Sequence, residues 1–102
     1  MRHIPDSQMY AAPMSRGPFD IGVVVPVYRS EGSVEPLVER TLAALGSREW
    51  SFELLLVDDH SPDGSWAKVM AASARHSSVR GIRLQRNVGQ MAATLCGLAN
   101  LD

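Results

Sequence analysis

Apolar residues in this chain fall into two alternating textures. Residues 21–27, IGVVVPV, are nearly all apolar, the pattern of a strand covered on both faces rather than one with a wet side. Pro26 has no N–H and limits ladder pairing near the end of that strand. The period then changes. Val34, Leu37, Val38, Leu42 and Leu45 recur at helical spacing, with Ser33 at the N-cap position, Pro36 in the tolerant first turn and Gly46 as a stop. Residues 52–57, FELLLV, predict a second strand. A second helix follows, with Trp66, Val69, Met70 and Ala74 on one face and Asp63 or Ser65 as its cap. Residues 79–84, VRGIRL, predict a short third strand in spite of two arginines. Met91, Leu95 and Leu98 then recur at i, i+4 and i+7 and predict a third helix.

Strand, helix, strand, helix, strand, helix with short connections implies right-handed crossovers and an α/β fold: a Rossmann-like parallel sheet with flanking helices. Residues 1–20 contain Pro5, Pro13, Pro18 and Gly17 among scattered charges, show no period and predict a loose leader. The expected domain is therefore 21–102. Its alternation stops at a helix and would leave one sheet edge without a partner, so the expectation is an incomplete, truncated sheet.

Composition narrows the class. The chain has 102 residues, 45% hydrophobic and 21% charged, with a formal charge of −1, which speaks against nucleic acid as a partner. One cysteine, Cys96, excludes an internal disulfide and a Cys-rich zinc site, and its apolar surroundings predict a small buried thiol. No run approaches the roughly 18–20 apolar residues needed to span a bilayer. Residues 1–10 lack the apolar core of a secretory signal, and a reducing, cytoplasmic setting is expected.

In open parallel sheets ligands bind beyond the carboxyl ends of the strands, so the chemistry is sought in PVYRSE, DDHSPDGS and QRNVGQ. These segments offer the aromatic face of Tyr28, the acceptors Glu31, Asp58 and Asp59, and the cations Arg29 and Arg86. Residues 87–89 open a helix whose amides and positive dipole end suit a phosphate. Plainer roles exist for several of them. Asp58 can cap the next turn, Asp63 and Gly64 are ordinary turn residues, and Asn87 with Gln90 three positions later forms a capping-box pattern. Adjacent Asp59, His60 and Ser61 cannot arrange themselves as a hydrolase triad, and no metal-ligand spacing occurs. A dinucleotide-binding Rossmann turn would need G-x-G-x-x-G after the first strand, where only Gly32 is present. A two-component receiver domain would carry its acidic pair after the first strand, not the second.

Together VVVPVYRSEGSVEPLVE, FELLLVDDHSPDGS and LQRNVGQMAATLCGL resemble the N-terminal half of the family 2 glycosyltransferases, and most nearly those that load a sugar onto a polyprenyl or dolichol phosphate. The resemblance covers residues 21–102. It implies the N-terminal part of a GT-A fold that binds a UDP- or GDP-sugar, with inverting transfer to an acceptor such as polyprenyl phosphate. It also implies a donor-binding set of Pro26, Val27, Tyr28, Glu31, Asp58, Asp59, Asn87, Gly89 and Gln90, in which Asp59 reads the base or ribose and Asp58 supports the loop. Ala93 and Gly97 would permit close helix packing. The expected cofactor is Mg2+ or Mn2+, held by a D-x-D motif beyond this chain, as are the general base and any membrane anchor. The parent enzyme would then work at the inner face of the membrane. Relatives often carry Tyr-Asn-Glu where this chain has Tyr28-Arg29-Ser30-Glu31, which leaves the acidic role shifted or lost. The alternative is a non-catalytic nucleotide-binding or interaction module that pairs through its sheet edge.

Overall fold

The computed structural model describes residues 19–101 and the strand at 8–12. The rest of the leader and Asp102 lie outside the described residues, and so does most of what the sequence predicts for them. Among the described residues the order is β1 (Gln8–Ala12), β2 (Ile21–Val27), α1 (Val34–Gly46), β3 (Phe52–Asp58), α2 (Ser65–Arg75), β4 (Val79–Leu84) and α3 (Gln90–Ala99). β2, β3 and β4 form the expected parallel sheet. β2 pairs with β3 from Ile21↔Phe52 to Val27↔Asp58, and β3 pairs with β4 from Leu54↔Val79 to Asp58↔Arg83.

The sheet order is β1-β4-β3-β2. β1, which no period in the leader announces, adds antiparallel to β4 with an irregularity between Gln8 and Tyr10. Five residues are too few for an alternation to stand out, and an added edge strand is held largely by main-chain hydrogen bonds. β2 forms the other edge among the described residues, a position that tolerates Pro26.

β3 is buried end to end and sorts its side chains by parity. Leu54 and Leu56 join Val27, Val34, Val38, Val69, Ala72 and Val79 beneath α1 and α2. Leu55 and Val57 join Ile82, Leu84 and Ala93 beneath α3, with Cys96 half-buried against them. Two carboxylates are buried in the same strand, Glu53 and Asp58. An ionised carboxylate in such a place costs several kcal/mol unless it is paired. The arginines of β4 supply the pairs: Arg80 Nη1 lies 3.6 Å from Glu53 Oε2, and Arg83 Nε lies 3.5 Å from Asp58 Oδ2. Arg80 also donates to the carbonyl of Asn100 and so ties the end of α3 to β4.

One helix, α2, turns in part from its predicted face, while α3 packs through the two small residues that the resemblance implies. In α2 the buried residues are Ser65, Val69, Ala72 and Ser73, with Trp66 packed against the core, while Met70 and Ala74 are exposed. In α3 the inward residues are Ala93 and Gly97, and Met91, Leu95 and Leu98 are 78%, 60% and 53% exposed. The α3 sequence is apolar all round, so periodicity alone cannot choose its face. Side-chain volume chooses instead. A Cβ at Gly97 would meet Val24 Cγ1 at 2.5 Å and Val57 Cγ2 at 2.8 Å, so the helix lies against the sheet where only hydrogen fits.

Gly97→Ala is expected to destabilise the chain by about 1–3 kcal/mol in urea unfolding, as overpacking does. Leu95→Gln is expected to stay within about 0.5 kcal/mol of wild type. The reverse ranking would place Leu95 rather than Gly97 on the buried face.

Candidate functional site

Three loops meet at the carboxyl ends of β2, β3 and β4. At their centre are Asp58 and Asp59. In extended chain neighbouring side chains point to opposite faces, so the two carboxylates diverge rather than repel at contact distance. Asp58 turns under the β3–α2 loop, where Oδ1 accepts the Ser61 hydroxyl at 2.6 Å and Oδ2 accepts the Ser61 N–H at 3.2 Å, next to Arg83. Asp59 turns toward the start of α3. Its Oδ1 accepts the Val88 N–H at 2.8 Å, and its Oδ2 accepts the Gly89 N–H at 2.9 Å and Asn87 Nδ2 at 3.1 Å.

Asp59 thus acts as the cap of α3 from another loop. The expected capping box of Asn87 and Gln90 is not formed: the N-cap residue is Gly89, which has no side chain of its own to offer and sits at φ 94° and ψ 156°. Asn87 turns its amide to Asp59 instead, bonding both the side chain and the Asp59 carbonyl. The amides of Val88 and Gly89, expected to receive a phosphate, are already occupied by this carboxylate. A fixed anion from the same chain is the natural occupant of a positive helix end.

The β2–α1 and β3–α2 loops contain left-handed residues, Arg29 at φ 50° and His60 at φ 58°. Such a conformation costs a non-glycine residue roughly 1–2 kcal/mol and needs fixing from outside. Arg29 donates its N–H to Ser61 Oγ at 3.0 Å. His60 Nδ1 lies 3.1 Å from the Leu84 carbonyl, a contact that requires the proton on Nδ1. The Asp59 N–H closes the join by donating to the Val27 carbonyl at 2.8 Å.

Between these loops lies an open cleft of about 500 Å3 lined by Pro26, Val27, Tyr28, Ser30, Asp59, Asn87, Gly89 and Gln90. Tyr28 presents its ring, with the Arg29 guanidinium 5.5 Å from the ring centroid. Two predicted members are not in the lining. Asp58 is buried behind the loop, and Glu31 turns away to accept the Gly64 N–H at 3.1 Å. Ser30 lines the cleft without being foreseen, since a lone serine between charged residues carries no local signal. Among the described residues no group of three or more His, Cys, Asp or Glu side chains could hold a metal, and no helix is long and apolar enough to cross a membrane. The carboxylates present do not suit a metal either: Asp58 is committed to Arg83 and Ser61, and Asp59 to α3.

Asp59 keeps some capacity. An ionised carboxylate offers about four lone-pair positions, of which three are used here. One remains, on Oδ1 of a residue that lines the cleft. Asp63, at the start of α2, is held below the usual aspartate value of 3.8, chiefly by the Ser65 hydroxyl it accepts and against the opposing pull of desolvation.

Residues 22–102 match glycosyl transferase family 2. An undecaprenyl-phosphate 4-deoxy-4-formamido-L-arabinose transferase of Shewanella sediminis is 43% identical over 82 residues, covering 79% of this chain and 25% of that protein. A dodecaprenyl-phosphate galacturonate synthase of Rhizobium johnstonii is 41% identical over 80 residues, covering 78% and 24%. The chain therefore spans about a quarter of the length of these curated relatives. A mannosyltransferase from Pyrobaculum calidifontis, solved with GDP-Man and Mn2+, shares the fold with a TM-score of 0.62 at 22% identity, over 89% of this chain and 27% of that one.

Removing the cap by Asp59→Ala is expected to cost about 1–3 kcal/mol in urea unfolding, because three donors lose their acceptor. A loss below about 0.5 kcal/mol would show the cap to be dispensable. For Asp63 the lowered value means that its ionised form stabilises the fold. That contribution is present above the unfolded value of 3.8 and disappears as pH falls through the lower folded value. The stability gap between wild type and Asp63→Asn should therefore be widest near neutral pH and close in strong acid.

Proposed function

Because the chain belongs to glycosyl transferase family 2, we propose that its cleft binds the nucleoside end of a UDP- or GDP-sugar in an enzyme that transfers the sugar to a polyprenyl phosphate. The observation that carries this reading is Asp59. Its carboxylate is fixed by three N–H groups, lies in the cleft wall and retains an acceptor position for a ribose hydroxyl or a base N–H. Tyr28 offers a face on which a base can stack, and Pro26 and Val27 close the apolar side. The names of relatives at about 40% identity support a polyprenyl-phosphate acceptor, and a place at the inner membrane face is part of the same proposal.

The diphosphate is served differently. With Val88 and Gly89 committed to Asp59, the α3 terminus is largely neutralised for a second anion. A divalent metal is the partner that would balance the leaving diphosphate. The described residues do not form its site, and on this reading its ligands come from outside them. In this chain the work is binding: stacking the base, accepting one hydrogen bond from the nucleoside and presenting the donor at the strand ends.

A second reading, a non-catalytic interaction module, draws on the outer edge of β2 and the apolar outer face of α3. Isothermal titration of UDP and GDP separates the two. The expected result is heat with one nucleotide, weakened roughly 5- to 150-fold by Tyr28→Ala, the range of base–aromatic stacking. Silence with both nucleotides from a folded chain would favour the interaction module.

A further inference from the structure

Residues 58–65 contain two serines that are absent from the cleft lining, yet both are buried and each hydroxyl both donates and accepts. A hydroxyl has one proton to give and two lone pairs to receive with. The Ser61 hydroxyl gives its proton to Asp58 Oδ1 at 2.6 Å and receives the Arg29 N–H at 3.0 Å. The Ser65 hydroxyl gives its proton to Asp63 Oδ1 at 2.6 Å and receives the Ser30 N–H at 2.8 Å. Two successive amides of the cleft loop are thus each held by a serine whose proton is committed to an aspartate.

The direction of each relay is fixed. A backbone N–H can only donate, so each serine must turn its proton to the carboxylate. Asp58 is itself anchored by Arg83 and by the Ser61 N–H, and Asp63 by the Ser65 N–H at 3.0 Å. The Gly64 N–H to Glu31 contact crosses between the same loops in the opposite sense. The amides that are held belong to Arg29, which is left-handed, and Ser30, which lines the cleft. Tyr28 directly precedes them and is 44% exposed, so the position of its ring follows the backbone of residues 29 and 30.

On the nucleotide-binding reading of the cleft, we propose that Ser61 and Ser65 are positioning residues for its nucleoside end, acting through the Arg29 and Ser30 amides to hold the Tyr28–Ser30 wall in place. Aspartate, serine and main-chain amide form two parallel clamps, spaced so that Ser61 serves Arg29 and Ser65 serves Ser30. The Ser-Pro-Asp-Gly-Ser segment is then more than a turn.

The test pairs amide hydrogen exchange in the ligand-free chain with titration of UDP and GDP. In Ser61→Ala the Arg29 amide is expected to exchange about tenfold faster while Val88, held by Asp59, is unchanged, and nucleotide affinity to fall about fivefold. Ser61→Thr keeps the hydroxyl and is expected to restore both. Ser65→Ala should act likewise on the Ser30 amide, and it carries the test if Ser61→Ala does not fold. Unchanged exchange at Arg29 and Ser30 overturns the clamps. Faster exchange with full nucleotide affinity overturns the positioning role. If the exchange pattern is as expected but wild type binds neither nucleotide, the nucleotide reading fails and the positioning role falls with it, while the clamps stand as a device of the fold.

Discussion

The central strand β3 is buried on both faces and yet carries a carboxylate near each end, Glu53 and Asp58, and the rest of the structure is arranged to make that tolerable. Each buried leucine in the strand contributes roughly 1.5–3 kcal/mol, and an unanswered buried charge would cancel one or two of them. β4 therefore cannot be a plain apolar strand. Its arginines alternate with valine, glycine, isoleucine and leucine so that Arg80 reaches Glu53 on the α3 side and Arg83 reaches Asp58 on the side of α1 and α2. The two pairs lie on opposite faces, which pins β4 to β3 in one register: a slip of one residue would turn both arginines away from their partners.

The same alternation of faces builds the cleft. Asp58 and Asp59 are one residue apart and so serve different neighbours. Asp58 looks inward to Arg83 and Ser61 and stiffens the β3–α2 loop, while Asp59 looks across to the start of α3. One dipeptide at the end of the central strand therefore fixes the loop on either side of it. The cleft lies on loops, but its walls are tied by directed hydrogen bonds to a sheet that cannot easily shift. That is the arrangement expected of a site that must be ready before its ligand arrives.

Much of this was legible from the sequence where burial dictates residue type. The parallel strands 21–27, 52–58 and 79–84 and the helices between them follow from apolar runs and periods, and the strand-end segments follow from the α/β class. The sequence was opaque where one residue type serves two purposes. Ser61, Pro62, Asp63 and Gly64 read as a turn because turn chemistry and a long-range clamp use the same side chains. Glu31 reads as an acid for the cleft, but its partner Gly64 lies 33 positions away and nothing local announces it. Asn87 and Gln90 match a capping box, and a stronger acceptor on another loop takes the amides that the box would have used. In α3 the spacing of Met91, Leu95 and Leu98 announces a helix but not its buried face, which is the one with the least volume.

That last choice reaches the cleft as well. Gly97 lies two turns down α3 from the cleft, yet its contact with Val24 and Val57 sets how closely the helix axis approaches the sheet. A helix is stiff along its axis, so its first turn is placed by the packing of its middle. The Asp59 carboxylate is anchored to β3, and its bonds to the Val88 and Gly89 amides, at 2.8 and 2.9 Å, weaken steeply with added distance. Lifting α3 by the thickness of a methyl group would draw those amides away from Asp59. The carboxylate would then lose its orientation, and Gly89 and Gln90 would leave the cleft wall. A glycine in the core thus helps to decide how an aspartate at the strand ends is held in the cleft wall.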